Sequence, residues 1–229
     1  MRTLGMIGGM SWESSAHYYR LINEGVRARL GGVASAPLIL HSFDFGQIAA
    51  MQAAGEWTAL RQSLAAAARG LHAAGAEGLL IATNTMHKLA DAVTEAAPIP
   101  LLHIADPLAN ALVEAGHRRV GLMGTRFTMN ETFYAERLAA KGLEVILPQA
   151  ADREIIDRVI YDELCAGVVR DESRAAYSAA IGEMAGRGAD AVALACTEIM
   201  MLVGEGDSCL PIFDTTALHA AAAVDFVGS

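Results

Sequence analysis

Short apolar runs alternate with longer amphipathic stretches along the whole chain. Leu4-Gly5-Met6-Ile7 is followed by Gly8-Gly9 and a helical pattern from about Ser14 to Leu30. Pro37-Leu38-Ile39-Leu40-His41 reads as a second strand, and Gly55 to Ala74 is rich in Ala and Leu at helical spacing. A glycine turn at Gly75 leads into a buried strand ending near Ala82. Leu89 to Ala96 then reads as a helix stopped by Pro98 and Pro100, before the strand Leu101-Leu102-His103-Ile104. Near the other end, Ala191-Val192-Ala193-Leu194-Ala195 is an unbroken apolar run that stops at Cys196 and gives way to the polar Thr197-Glu198. Continuous apolar runs fit strands buried on both faces, and their alternation with helices predicts parallel sheets covered on both sides.

The second half repeats the pattern of the first. Gly121-Leu122-Met123-Gly124 with Tyr134 lines up with Gly5-Met6-Ile7-Gly8 with Tyr18. Gly188-Ala189-Asp190 lines up with Gly75-Ala76-Glu77, and Pro211-Ile212-Phe213-Asp214 with Pro100-Leu101-Leu102-His103. Three blocks in one order predict an α/β protein of two pseudo-symmetric lobes, each a parallel sheet flanked by helices, with the active site in the cleft between them. In this alignment Thr83 stands opposite Cys196. Both fall at the carboxyl ends of strands, where open α/β sheets place their ligands.

Composition narrows the classes of partner. Of the 229 residues 53% are hydrophobic and 19% charged, a globular balance. A net charge of −9 argues against nucleic-acid and anionic-membrane partners. No apolar run approaches the roughly 18 residues of a membrane span, and the start turns glycine-rich too soon for a signal peptide. Three widely spaced cysteines imply free thiols in a reducing compartment, hence a cytoplasmic location.

Two groups on opposite sides of a carbon bearing an acidic hydrogen can invert it, one removing the proton and the other returning it on the far face. Cysteine suits the first role, because its ordinary pKa of about 8.5 shifts readily with its surroundings. Thr197-Glu198 is expected to open a helix whose N–H groups stabilise a thiolate or a substrate carboxylate. Taken alone, Cys196 reads as a buried, inert small hydrophobe, and its position after a strand and opposite Thr83 reverses that reading. Cys165 and Cys209 lack comparable context and read as structural.

Other signals are weak. Gly5-x-x-Gly8-Gly9 lacks the spacing of a dinucleotide loop and reads as a tight turn. The histidines show no metal-ligand spacing, and His87 reads as a support for the Thr83 loop. Trp12 and Trp57 read as packing anchors, and the charges from Asp152 to Arg158, with Asp162 and Glu163, as a solvated helix face. Of the two lysines, Lys88 and Lys141, neither is accompanied by a phosphate-binding motif for a pyridoxal Schiff base.

Gly8-Gly9-Met10-Ser11-Trp12-Glu13-Ser14, Asn84-Thr85-Met86-His87 and Cys196-Thr197-Glu198-Ile199 together resemble the aspartate/glutamate racemase family, along the whole chain and most strongly its amino-acid racemase branch. The resemblance implies a racemase acting on aspartate or glutamate with no cofactor, dimeric, with one catalytic residue from each lobe. The last helix is expected to pack back on the first lobe, so the lobes are placed at 1–97 plus 210–229 and at 98–209. Cys196 matches the second catalytic cysteine of the family, while Thr83 stands where most members have the first. Asn84 and Thr85, with Thr197 and Glu198 opposite, offer donors and acceptors for the α-carboxylate and ammonium groups; the Met10 backbone and Gln52 sit where the family approaches substrate, and Thr125 joins them as a βα-turn residue. Many aspartate racemases carry a cation near position 52 and a lysine before the glycine aligned with Gly167; here those places hold Gln52 and Ala166. Because a threonine hydroxyl is a far weaker acid than a thiol, the expected chemistry is lopsided, favouring the L-isomer. A one-cysteine decarboxylase or isomerase of the same superfamily, and a catalytically silent binding protein for an acidic amino acid, stay open beside it.

Overall fold

The computed structural model describes all of residues 1–229. The first half runs β1 (Leu4–Gly8), α1 (Trp12–Leu30), β2 (Leu38–Ser42), α2 (Phe45–Ala54), α3 (Trp57–Ala73), β3 (Gly78–Ile81), α4 (Ala90–Ala96) and β4 (Leu101–Leu102). The second runs α5 (Ala105–Glu114), β5 (Arg119–Gly124), α6 (Arg126–Asn130), α7 (Thr132–Ala139), β6 (Glu144–Ile146), α8 (Ala150–Asp162), α9 (Asp171–Gly186), β7 (Ala191–Ala195), β8 (Ile212–Asp214) and α10 (Thr215–Gly228). The strands form two four-stranded, wholly parallel sheets of the same order, β2-β1-β3-β4 and β6-β5-β7-β8. The paired α/β organisation read from the sequence is thus present. No helix is long and apolar enough to cross a membrane.

Contacts divide the chain into residues 1–103 with 219–229, and residues 104–218. Both breaks fall later in the chain than those placed from the sequence, and strand pairing explains the shift. Leu101–Leu102 hydrogen-bonds to β3 of the first sheet, while Ile212–Asp214 hydrogen-bonds to β7 of the second. Pro100 and Pro211 directly precede these edge strands, so each break follows its strand.

In the first unit, side chains alternate between two cores, as strand geometry requires. Ile7, Leu79 and Ile81 meet Leu60, Leu64 and Val93 of α3 and α4 on one face. Leu4, Met6 and Leu80 meet Tyr18 and Ile22 of α1 and Val224 and Val227 of α10 on the other. Each of these aliphatic side chains contributes on the order of 1.5–3 kcal/mol by burial. Two glycines permit close approaches. A Cβ on Gly78 would lie 2.4 Å from the Phe226 ring, so its absence seats the final helix on β3. Gly9, at φ +78°, runs against the Phe43 backbone, where a Cβ would meet Phe43 O at 2.2 Å.

The second unit follows the same scheme. Met123, Val192 and Leu194 face Ile156, Ile160, Tyr177 and Ile181 of α8 and α9. Val120, Leu122, Ala191, Ala193 and Ala195 face Leu108 and Leu112 of α5 and Tyr134 and Leu138 of α7. Tyr134 is fully buried and its hydroxyl has no hydrogen-bond partner. An unpaired buried hydroxyl costs about 1–3 kcal/mol. Tyr134→Phe should therefore raise stability by about 1 kcal/mol, measured by urea denaturation; a loss of stability would show that the hydroxyl is compensated.

Local boundaries differ from the sequence reading in instructive ways. The first long helix starts at Trp12, capped by the Ser11 hydroxyl, which accepts from Ser14 N–H at 3.3 Å. A separate α2 precedes α3, capped by Asp44 and closed by Gly55 in the left-handed region. Trp12 is 66% exposed and is no packing anchor within the chain, whereas Trp57 lies in the first core with Lys88 Nζ 3.7 Å from its ring centroid.

Candidate active site

Strand register defines equivalent positions in the two sheets. Leu4 pairs with Gly78, and Val120, the residue before the matching glycine, pairs with Ala191. Five positions on from Gly78 and from Ala191 stand Thr83 and Cys196. Backbone pairing therefore assigns the two residues the same place in their own sheets, just beyond the carboxyl end of a central strand, in agreement with the sequence repeat.

In the second unit Cys196 shares the face of Val192 and Leu194 and packs against the α8–α9 core. Its thiol donates to Glu198 Oε2 at 3.1 Å, and the Thr197 hydroxyl donates to the same oxygen at 2.6 Å. Cys196 and Thr197 are partly buried, Glu198 only 7% exposed. The expected helix start is not there: only a single 3₁₀ turn, Ile199–Met201, follows. No helix dipole of any length is available to stabilise a thiolate. Burial pushes the thiol well above its ordinary range, and the Glu198 carboxylate pushes it the same way. The resting group is a neutral thiol with a carboxylate as its hydrogen-bond acceptor. Glu198, read from the sequence as a substrate contact, is thus placed where it can take the thiol's proton. The Cys-x-Glu spacing was visible; that both side chains turn to the same side was not.

Thr125 directly follows the neighbouring strand β5 and is 6% exposed, its hydroxyl 3.4 Å from that of Thr128. Behind Cys196 lie Tyr161 and Tyr177, the latter donating to Ile156 O at 2.9 Å. Burial raises both phenols, and the Asp157 carboxylate adds to the effect. Cys165 packs on the same core as Cys196.

In the first unit Thr83 is partly buried, and its hydroxyl makes no hydrogen bond within the chain. Its carbonyl accepts from His87 Nδ1 at 2.8 Å, so His87 does support this loop. The His87 ring packs edgewise on His103 at 4.5 Å and His219 at 5.7 Å between centroids. His219 Nε2 donates to Leu102 O at 2.8 Å; in the neutral ring Nδ1 then accepts from the Tyr18 hydroxyl at 3.0 Å. These three histidines and Tyr18 are buried, and they tie the Thr83 loop to α1, β4 and α10. Sequence reading named only His87 of this group, because residues so far apart in the chain carry no local signal of contact.

Asn84 and Thr85 are also buried, at the start of the 3₁₀ turn Thr85–Leu89. Met10, 6% exposed, joins the α2–α4 core. Gln52 is 5% exposed; Nε2 donates to Met86 Sδ at 3.1 Å, and Oε1 is buried with no partner. An unsatisfied buried amide oxygen is a group in want of a ligand. The first unit thus brings Met10, Gln52 and the Thr83–Thr85 segment to one end of one sheet. The second does the same for Thr125 and Cys196–Glu198. No three His, Cys, Asp or Glu side chains are grouped to hold a metal ion.

The structure compares closely with known proteins. A Yersinia pestis protein provisionally named an Asp/Glu racemase is 48% identical over the whole of both chains, with a TM-score of 0.93. An aspartate racemase homologue from Pyrococcus horikoshii OT3 is 30% identical, again over the whole of both chains, with a TM-score of 0.85. An aspartate racemase from Picrophilus torridus shares the fold at a TM-score of 0.78 over 100% of this chain and 95% of that one, with 19% identity. The family model described as Asp/Glu/Hydantoin racemase matches residues 7–223. With equivalent strand ends carrying Thr83 and Cys196 in two like sheets, the chain belongs to the Asp/Glu/Hydantoin racemase family.

Proposed function

We propose that this protein racemises an acidic amino acid, aspartate or glutamate, by proton transfer at Cα without an organic cofactor, and that its two half-sites act unequally. The observation that carries the reading is the thiol–carboxylate pair of Cys196 and Glu198 at the end of β7. Cys196 passes its proton to Glu198, and the thiolate removes the α-hydrogen of the L-isomer. Thr83 serves the opposite face, its hydroxyl passing a proton from water to Cα so that no free alkoxide is formed. Glu198 returns its proton to solvent, and Cys196 leaves the cycle as a thiol, so protons balance.

Substrate contacts follow from the buried polar groups. Asn84, Thr85, Thr125 and Thr197 supply donors and acceptors for the α-carboxylate and ammonium groups. Met10 approaches through its backbone. The unsatisfied Gln52 oxygen offers an acceptor for the ammonium group. With the amide turned the other way it becomes a donor to a carboxylate. The protein is further read as a cytoplasmic homodimer, on its free thiols and the exposed Trp12, Tyr19, Leu30 and Val33. Light scattering giving a single chain mass would refute the dimer.

The direct test is deuterium uptake at Cα from heavy water, followed by NMR for L- and D-aspartate and L- and D-glutamate with no added cofactor. Exchange should be clear from an L-isomer and much slower from its D-isomer; equal initial rates from both would overturn the unequal assignment. Thr83→Cys places an ionisable group on the far side and should raise exchange from the D-isomer at least about tenfold, since a positioned acid/base group contributes about 10²–10⁴-fold. An unchanged D-rate in this variant would show that Thr83 does not address that face.

A further inference from the structure

Between α6 and α8 lies an open cavity of about 490 Å³, lined among others by Arg126, Asn130, Arg153, Glu154, Asp157 and Arg158. From the sequence, residues 152–158 read as a solvated helix face; folding turns part of it toward α6 instead. The charges here do not cancel one another. None of the three guanidiniums forms an ion pair with either carboxylate, whereas Arg61, Arg119, Arg137 and Arg187 elsewhere are all paired.

Other bonds hold the groups in this arrangement. Asp157 Oδ1 accepts from the Arg126 backbone N–H at 2.7 Å. Arg153 donates to Asn130, while its Nε is buried with no partner. The Arg126 guanidinium lies over the Phe127 ring. Three guanidiniums without an ion pair thus surround a space that also carries two carboxylates, in a chain whose net charge is −9. A ligand with two anionic groups and one ammonium complements that pattern, guanidiniums taking carboxylates in forked, charge-assisted hydrogen bonds. The volume leaves room for such a ligand with several waters of about 30 Å³ each.

We propose that this cavity binds an acidic amino acid as its zwitterion, the carboxylates on Arg126, Arg153 and Arg158 and the ammonium on Glu154 and the free oxygen of Asp157. The bound molecule is a second, regulatory one, since none of the residues lining this cavity is among the proposed contacts of the reacting molecule.

The test is calorimetric titration of the full chain with L-glutamate, L-aspartate and glutarate, in low and 0.5 M salt. It uses the parent protein, Cys196→Ala, and the double variant Arg126→Gln/Arg158→Gln, which alters two exposed side chains and should fold normally. Cys196→Ala should bind glutamate as the parent does. The double variant should lose about tenfold or more in affinity at one site, glutarate should bind more weakly than glutamate, and salt should weaken binding. Two molecules per parent chain and one per double-variant chain identify a regulatory site. One molecule per parent chain overturns the proposal, because no second site is then occupied. Unchanged affinity and stoichiometry in the double variant overturn the proposal. Intact binding without Cα exchange in any protein would defeat the racemase reading and leave this one standing.

Discussion

Cys196→Ala should lower α-deuterium exchange from L-aspartate and L-glutamate by about 10³-fold or more, the range expected when the group that accepts the reacting proton is removed. No neighbour can take over. Glu198 points at the thiol from two residues away, and Cys165, the other thiol on the same core, is not held at a strand end. Alanine fills most of the same space, so the fold should persist, as checked by circular dichroism and by melting temperature. A variant exchanging within tenfold of the parent would remove Cys196 from the reaction and with it the two-face mechanism. Cys165→Ala is the matched control and should leave exchange nearly unchanged.

Glu198→Gln should cost about 10²-fold in the same exchange at pH 7, because glutamine still meets the thiol but cannot accept its proton. The pH dependence separates this role from mere support. In the parent, burial and the neighbouring carboxylate both disfavour the thiolate, so the thiol ionises well above its usual range. Removing the carboxylate leaves burial alone, and the thiol should then ionise at lower pH than in the parent. The variant's rate should therefore be low at pH 7 and rise with pH along a limb displaced to lower pH. A uniform loss with no displacement would mean that Glu198 only shapes the loop. The same shift bears on stability. A thiol whose folded pKa is raised contributes stability that is full below its unfolded value of about 8.5 and is lost as pH rises toward the folded value. The parent should weaken in mild alkali, and Cys196→Ala should lose that part of the decline.

Much of the architecture was legible before any coordinates. The apolar run from Ala191 to Ala195 is a strand because it is buried on both faces, and such runs carry their own signal. The repeat of glycine–apolar–glycine blocks yielded the twofold plan, and strand register places Thr83 and Cys196 at equivalent points. Helix ends were less legible. The turn after Cys196 looked like a helix start but is one 3₁₀ turn, because Ile199 and Leu202 are drawn fully into the α8–α9 core. Leu101–Leu102 and Ile212–Asp214 are short edge strands, and their sheet membership follows from a partner distant in sequence.

The sequence by itself determined which residues stand at the two strand ends, the family to which the chain belongs, and the unequal acidity of a hydroxyl and a thiol. These are properties of residue type, order and periodicity, and they survive without coordinates. Only the tertiary structure decided the partners of those residues. It turned Glu198 onto the Cys196 thiol, set His87, His103 and His219 together behind Thr83, left the Gln52 oxygen unsatisfied, and opened a cavity beneath arginines that read as a plain helix face. The reason is physical: hydrogen bonds, desolvation and charge act over a few ångströms of space, and folding alone sets which distant residues share them.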